Sequence, residues 1–253
     1  MAFLAAGDGA TALRLGAGMT ALQGSIGALN DIVDAPRDQG LKPGKPIPAG
    51  LVAKGLAWTV VAAGAALGLG LSAPSGVSTL ALAVVVLAIG YGYDLVFKGT
   101  VWSWLPFAAG IPLLPVYGWL GATGGVPGLF GILLPAAVVA GAALAIANAR
   151  ADAERDTAAG IESAATRLGG ERSWLVSAGL LAVVVVVALA TLSGSSPSVA
   201  VLGGAIVAVI VIGLGIAIGR SGDSRQLERA WELEAVGMGL LVAAWLAGTV
   251  VGQ

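Results

Sequence analysis

Long apolar stretches separated by short breaks run through the whole chain. A transmembrane helix needs about 20 mostly apolar residues, and eight stretches come close to this length. They cover residues 10–33, 51–72, 78–97, 103–122, 127–150, 173–193, 197–219 and 230–251. The first stretch is the weakest because Arg14 and Gln23 interrupt it. The pattern predicts an all-α protein, a polytopic transmembrane helix bundle of eight spans that forms a single domain over residues 1–253.

Charged residues are concentrated in and beside alternate loops. If successive loops lie on opposite sides of a membrane, one side holds residues 31–50, 98–102, 151–172 and 220–229. Of the 13 Lys and Arg residues, all but Arg14 lie in or beside these segments, and the loops of the other side have no charge. Cytoplasmic loops carry the excess of Lys and Arg. We therefore expect an integral protein of the cell inner membrane, surrounded by membrane lipid, with its acidic loops in the cytoplasm.

The composition narrows the possible chemistry. The chain is 57% hydrophobic and 11% charged, whereas a soluble domain has about 25% charged residues. A net charge of -1 gives no basis for binding nucleic acid. The sequence has no Cys and no His, which excludes thiolate and imidazole chemistry and leaves oxygen ligands that suit Mg²⁺. Met1–Ala6 lacks a basic start, so we expect no cleavable signal peptide.

Two acidic segments repeat the same spacing of polar residues, N-x-x-x-D-x-x-x-D. The members are Asn30, Asp34 and Asp38 in the first copy and Asn148, Asp152 and Asp156 in the second. Residues four apart lie on one face of a helix, so each copy directs its polar groups at one place. Pro36 is expected to end the first helix near Val33, whereas the second copy can stay helical through Asp156. The layout predicts two half-sites that meet in the middle of a bundle.

Acids gathered at the membrane boundary indicate a cation site. They are costly to place there, and they repel one another unless cations neutralise them. Mg²⁺ takes one or two carboxylates and adds water and phosphate oxygens. A diphosphate that leaves as an allylic carbocation forms would be stabilised in this way. The candidate Mg²⁺ ligands are Asn30, Asp31, Asp34, Asp38, Asn148, Asp152 and Asp156, among which Asp34, Asp38, Asp152 and Asp156 are the catalytic candidates. Solvated acidic loops are the alternative, which two copies in matched register disfavour.

Basic residues near the acidic segments are candidates for binding the diphosphate. Lys42 and Lys45 lie in a proline-rich loop after the first copy, and Arg150 lies within the second. Tyr93 and Lys98, at the charged end of another apolar helix, are further candidates. Positive-inside topology and an interfacial aromatic belt with a snorkelling lysine explain the same residues without a substrate.

These motifs together resemble the signatures of the UbiA superfamily of intramembrane prenyltransferases. Residues 30–50 resemble the first signature, with Asn30-Asp31-x-x-Asp34-x-x-x-Asp38 followed by Lys42-x-x-Lys45-Pro46-Ile47-Pro48-Ala49-Gly50. Residues 148–169 resemble the second, with Asp152-x-x-x-Asp156, Gly160, Ser163 and Arg167-Leu168-Gly169. Tyr93 and Lys98 are similar to a third signature, but four residues separate them here where the family has three.

The resemblance implies a nine-helix bundle and Mg²⁺-dependent transfer of an isoprenyl group from a prenyl diphosphate to a lipid or aromatic acceptor. It implies that one Mg²⁺ site is formed by Asn30, Asp34 and Asp38, and the other by Asn148, Asp152 and Asp156. Lys98 would help to bind the diphosphate, and it counts among the catalytic candidates. We expect eight spans because the family's first helix has no counterpart before residue 10. Many members have an arginine where this chain has Gln23, which disfavours an acidic aromatic acceptor.

Three alternatives remain open at this stage. A membrane terpene cyclase of the same family would use the same ionisation chemistry. A secondary transporter can also have repeated halves with polar groups at broken helices. Its site would lie near the bilayer midplane, whereas here we expect the acids at one face and none inside the later spans. A homologue that only binds isoprenoid lipid is the third alternative.

Overall fold

The computed structural model describes residues 8–39, 44–158, 160–220 and 223–249, and this part of the chain consists of helices joined by turns and loops. The helices are α1 (Gly9–Asp38), α2 (Lys54–Ser72), α3 (Val77–Gly92), α4 (Leu105–Gly110), α5 (Leu113–Thr123), α6 (Phe130–Ala158), α7 (Ala164–Leu168), α8 (Gly170–Ser193), α9 (Val199–Gly219) and α10 (Ser224–Thr249). A 3-10 turn (Ala73–Ser75) links α2 to α3, and a π turn (Tyr93–Phe97) continues α3. The predicted all-α class is confirmed.

Seven helical segments of the described chain are long and apolar enough to cross a membrane. They match the second to eighth predicted stretches, with α4 and α5 together forming the segment Leu105–Thr123. The first stretch also forms a helix, α1, although it is not among the seven. Large apolar side chains such as Val186 of α8 and Ile206 of α9 are exposed, as expected for helices that face lipid. These are the properties of an integral membrane protein.

Packing divides the chain into two compact units. Unit 1 comprises Met1–Val96 and Leu113–Pro127, and unit 2 comprises Phe97–Pro112 and Gly128–Gln253. Unit 1 therefore contains α1, α2, α3 and α5, and unit 2 contains α4 and the helices from α6 to α10. Each unit carries one copy of the repeated acidic motif.

Unit 1 is held together by polar contacts at its uncharged end as well as by an apolar core around Leu22. Arg14 of α1 donates hydrogen bonds to the carbonyl oxygen of Leu71 (2.6 Å) and to the hydroxyl of Ser75 (2.8 Å). The Ser75 hydroxyl in turn donates to the carbonyl oxygen of Gly121 (2.7 Å). Arg14, the one base outside the charged segments, thus links α1 to the turn after α2, and Ser75 links this turn to α5.

Unit 2 brings α9 and α10 together at small residues. A Cβ atom added to Gly215 of α9 would lie 2.8 Å from the carbonyl oxygen of Ala230 of α10. Small residues allow such close backbone approach between membrane helices. The indole N–H of Trp174 in α8 donates to the carbonyl oxygen of Ile216 (2.9 Å). This bond joins α8 to the same end of α9.

The first acidic motif lies on a helix that is longer than predicted. α1 continues to Asp38 with Pro36 inside it, so the expected end near Val33 is wrong. Pro36 removes the backbone hydrogen bond to the carbonyl of Ile32. The helix tolerates this loss because Pro36 lies in the last turn, where Arg37 also interacts favourably with the negative end of the helix dipole. α6 is helical through Asp156, as predicted.

Candidate functional site

The first acidic motif occupies one face of the last turns of α1. Asn30, Asp34 and Asp38 are spaced by four along a continuous helix. Asn30 is half-buried, and Asp34 and Asp38 are only 9% and 8% exposed. Carboxylates so well covered are stable only with hydrogen bonds or opposite charges around them. The face therefore presents a concentrated negative charge within unit 1.

Asp31 lies beside this face and forms an ion pair with Lys45 in the loop that follows α1. Burial lowers the pKa of Lys45, but the hydrogen bond to Asp31 and the negative charges of Asp31, Asp34 and Asp38 raise it above its ordinary value. The ammonium of Lys45 thus lies in the field of the first motif. Lys42, the other lysine predicted for this loop, lies outside the described residues.

Asn30 has a polar partner that is remote in sequence. Its side-chain NH₂ group donates a hydrogen bond of 2.7 Å to Oδ1 of Asp94, which is 4% exposed. Asp94 belongs to the π turn that continues α3. The contact joins the start of the first motif on α1 to the end of α3 within unit 1.

The π turn also explains the unusual spacing of the third motif. A π turn accommodates one more residue than an α-helical turn. Four residues separate Tyr93 and Lys98, one more than in the signature that this segment resembles, and all four lie within the π turn Tyr93–Phe97. The additional residue is therefore taken up in the backbone, and Lys98 follows directly after the turn.

The second motif has the same arrangement on α6 in unit 2. Asn148, Asp152 and Asp156 lie on one face of the last turns of this helix, and all three are half-buried. Asp152 forms an ion pair with Arg155, one turn further along. Each unit thus contains an amide and two carboxylates in the same order along one helix face.

Arg150 lies on the opposite side of α6. Two residues along a helix correspond to a rotation of about 200°, so Arg150 faces away from Asn148 and Asp152. Its guanidinium donates a hydrogen bond of 2.7 Å to the carbonyl oxygen of Gly219, and the charge of the buried Glu234 acts on it. Arg150 therefore anchors the back of the motif helix to α9, which disfavours its predicted role as a ligand of the diphosphate.

Two glycines of the second signature lie where the backbone adopts a positive φ angle. Gly160 and Gly169 have φ angles of 68° and 79°, a region that favours glycine. Ser163 caps α7 by accepting a hydrogen bond from the backbone N–H of Thr166 (3.4 Å). Gly169 both ends α7 and precedes α8. The similarity of residues 160–169 to the family signature therefore includes the turns that shape this loop.

An apolar cavity of about 340 Å³ lies in unit 2 between the loop before α4, α6 and α7. Its walls include Trp104, Ala142, Ile146 and Leu168, and Arg167 contributes a positive charge. The lining is therefore apolar apart from the guanidinium of Arg167.

Sequence analysis misses two buried acids, Asp94 and Glu234. The sequence does contain a signal for Asp94, since it is an acidic residue directly after Tyr93 at the end of an apolar helix. Glu234 lies within the predicted span 230–251 and is 3% exposed in α10. The expectation that no acid lies inside the later spans is therefore wrong. Glu234 can be buried because the positive charge of Arg150 partly offsets the cost of its burial.

Within the described residues of either unit, no three acidic side chains are close enough together to hold a metal ion. The candidate ligands belong to two units, with Asn30, Asp34 and Asp38 in unit 1 and their counterparts in unit 2. The meeting of the two half-sites stays a prediction.

Comparison with solved structures identifies proteins of the same fold. A UbiA homologue from Aeropyrum pernix K1 superposes with a TM-score of 0.77 at 21% identity, covering 94% of this chain and 89% of that one. A UbiA homologue from Archaeoglobus fulgidus bound to GPP and Mg²⁺ gives 0.67 at 18% identity, covering 94% and 88%. Digeranylgeranylglyceryl phosphate synthase gives 0.69 at 18% identity, covering 99% and 90%.

Sequence comparison identifies the family. A search of curated protein sequences finds no significant match. The family model of the UbiA prenyltransferases, in contrast, matches residues 1–248, which is almost the whole chain and includes both acidic motifs, the third motif and the loop that follows each acidic motif. The chain therefore belongs to the UbiA prenyltransferase family.

Proposed function

We propose that this prenyltransferase moves an isoprenyl group from a prenyl diphosphate to a lipid-soluble acceptor, with Mg²⁺ bound by the two acidic motifs. The observation that carries the proposal is the repeated order of one amide and two carboxylates on one face of α1 and again on α6. The structures of the Archaeoglobus fulgidus homologue with GPP or DMAPP and Mg²⁺ support the same chemistry.

The residues of both motifs fit Mg²⁺. This ion prefers carboxylate and amide oxygens, and it usually keeps water or phosphate oxygens in its remaining positions. Asn30, Asp34 and Asp38 offer such oxygens in unit 1, with Asp34 and Asp38 shielded from bulk solvent. Asn148, Asp152 and Asp156 offer the same set in unit 2. When bound, Mg²⁺ would neutralise the negative charge that develops on the departing diphosphate.

The basic and hydroxyl groups complete the proposed diphosphate site. Lys45 holds its positive charge beside the first motif, and Lys42 belongs to the same loop. Tyr93 begins the π turn and Lys98 follows it, and both are proposed to bind phosphate oxygens, as their family signature implies. We propose that these groups orient the diphosphate at the cytoplasmic face while the isoprenyl chain stays among apolar side chains.

The chemistry of the acceptor follows from what surrounds Gln23. This neutral residue is exposed, and its side-chain amide donates a hydrogen bond of 3.7 Å to the thioether sulfur of Met19. A carboxylate-bearing aromatic acceptor would need a cation at such a position. We therefore propose a lipid-soluble acceptor without a carboxylate.

The proposed function is tested by diphosphate release from the purified protein in lipid nanodiscs. With geranylgeranyl diphosphate and candidate acceptors, release is expected with Mg²⁺ and is expected to cease with EDTA, because unneutralised carboxylates repel the diphosphate. Mass spectrometry of the products separates transfer to an acceptor from cyclisation. Absence of release and of Mg²⁺-dependent binding, over several isoprenyl chain lengths, would contradict the proposal and favour transport.

Lys45→Met is expected to raise the KM for the prenyl diphosphate about tenfold, the effect of losing one charge-assisted contact. The raised pKa of Lys45 means that its charge is lost only above its ordinary value of 10.5. Its contribution to binding is therefore constant between about pH 6 and pH 9. Steady-state kinetics across this range check both statements. Lys54→Met, which removes an exposed lysine at the start of α2, is the matched control, and an equal rise in KM there would refute a specific role for Lys45.

A further inference from the structure

Asp94 has no role in the proposed chemistry, yet it is among the best-buried charged side chains described in the protein. It is 4% exposed, and its Oδ1 accepts the hydrogen bond of 2.7 Å from Asn30. Both residues belong to unit 1. Burying a carboxylate is costly unless it is hydrogen-bonded. A contact maintained at such a cost between α3 and the first residue of the metal-binding motif indicates a specific task.

The chemistry of the amide defines this task. An asparagine side chain has one carbonyl oxygen, which accepts, and one NH₂ group, which donates, and the two have nearly the same shape. An ionised carboxylate only accepts hydrogen bonds. Opposite Asp94, therefore, only the NH₂ group of Asn30 is stable. The carbonyl oxygen, which is the only atom of this amide that can bind Mg²⁺, is then directed away from Asp94.

We propose that Asp94 is a positioning residue that selects the metal-binding orientation of the Asn30 side chain. The inference rests on the proposed function, because it assigns Asn30 to a Mg²⁺ site. In this role Asp94 acts through its hydrogen bond with Asn30 and is not itself a ligand of the metal. Outer partners of this kind typically change metal affinity 10- to 100-fold when they are removed.

The π turn gives Asp94 its place. Single π turns inside α helices occur frequently at functional sites, and this one begins at Tyr93, directly before Asp94. This turn holds Asp94 at the position from which its carboxylate accepts the hydrogen bond of Asn30. Orientation of the Asn30 side chain therefore accounts both for the π turn at Tyr93–Phe97 and for the burial of Asp94.

Metal affinity is the property to measure. Mn²⁺, which prefers the same oxygen ligands as Mg²⁺, is titrated by electron paramagnetic resonance into nanodisc-embedded protein with a non-cleavable prenyl thiodiphosphate. Asp94→Asn is expected to weaken Mn²⁺ binding by about 10-fold or more, because an amide at position 94 accepts either orientation of Asn30. Asp8→Asn, which removes an exposed carboxylate at the other end of α1, is the control and is expected to change nothing.

The same substitution made in Asn30→Asp protein separates orientation of the residue 30 side chain from general stabilisation of the fold. Asn30→Asp replaces the amide by a group whose two oxygens are equivalent, so that no orientation remains to be selected. Adding Asp94→Asn to Asn30→Asp is then expected to leave Mn²⁺ affinity unchanged or to improve it, since two facing carboxylates repel each other. An equal loss of affinity in both backgrounds, or no loss with Asp94→Asn alone, would overturn the inference.

The same titration distinguishes this inference from the function on which it rests. If the unmodified protein binds no Mn²⁺ in the presence of the thiodiphosphate, the proposed function fails and the inference fails with it. If the unmodified protein binds Mn²⁺ and Asp94→Asn binds it equally well, only the role of Asp94 is refuted.

Discussion

Asp34→Asn is expected to reduce Mg²⁺-dependent diphosphate release by about 100- to 1000-fold, the usual effect of removing one group that stabilises developing charge. Asparagine has nearly the same size as aspartate, so the 9% exposed side chain keeps its packing while its charge is lost. The loss therefore reports on cation binding and not on unfolding. Release is measured in nanodiscs at saturating prenyl diphosphate and increasing Mg²⁺.

Asp152→Asn is expected to cause a loss of the same size, although the residue lies in the other unit. This equality follows from the repeat, in which Asp34 and Asp152 are the middle members of two identical spacings. Asp8→Asn is again the control for removal of one negative charge. Full activity of Asp152→Asn would contradict the use of both motifs and leave a site formed by the first motif alone.

Arg150→Ala is expected to lower the free energy of unfolding by about 2–3 kcal/mol, because it removes the charge-assisted hydrogen bond to the carbonyl oxygen of Gly219 and the positive charge that acts on the buried Glu234. Both side chains lie close to Gly219. A Cβ atom built on Gly219 would lie 3.5 Å from Nη1 of Arg150 and 3.9 Å from Oε1 of Glu234. Unfolding of the purified protein in detergent, followed by temperature or denaturant, measures the effect.

Combining Arg150→Ala with Glu234→Gln is expected to recover part of this loss, since the double variant buries no unpaired charge. Arg220→Ala is the matched control. Arg220 is exposed, and its guanidinium lies 5.5 Å from the ring centre of Trp174, so we expect its removal to cost at most about 1 kcal/mol. Equal losses for Arg150→Ala and Arg220→Ala would show that the buried pair does not stabilise unit 2.

Apolar length predicts most of the fold because the membrane restricts spanning structures to hydrogen-bonded helices. α8 and α9 illustrate this, since both lie within a few residues of the predicted bounds. The end of α1 is predicted incorrectly because the effect of Pro36 depends on its distance from the end of the helix. The apolar stretch does not give this distance, because α1 continues beyond the stretch as far as Asp38.

The candidate site is predicted where residues share one helix and missed where they do not. Spacing by four places Asp34 and Asp38 on one face without any knowledge of the fold. The contact between Asn30 and Asp94 joins residues 64 positions apart, and no periodicity relates them. Arg150 lies within the second motif in sequence, but its side chain faces α9. Its partner depends on which helix packs against that face of α6, and the spacing of residues in the sequence does not give this.

The π turn after α3 gives this segment a tolerance of one residue in length. A π turn takes up one residue more than an α-helical turn, so removing one residue from 95–97 would restore the α helix and leave the direction of the chain beyond it nearly unchanged. Relatives with three or four residues between this tyrosine and this lysine are therefore expected to present both side chains in similar directions. A difference of one residue in the length of this segment does not by itself predict a difference in substrate choice.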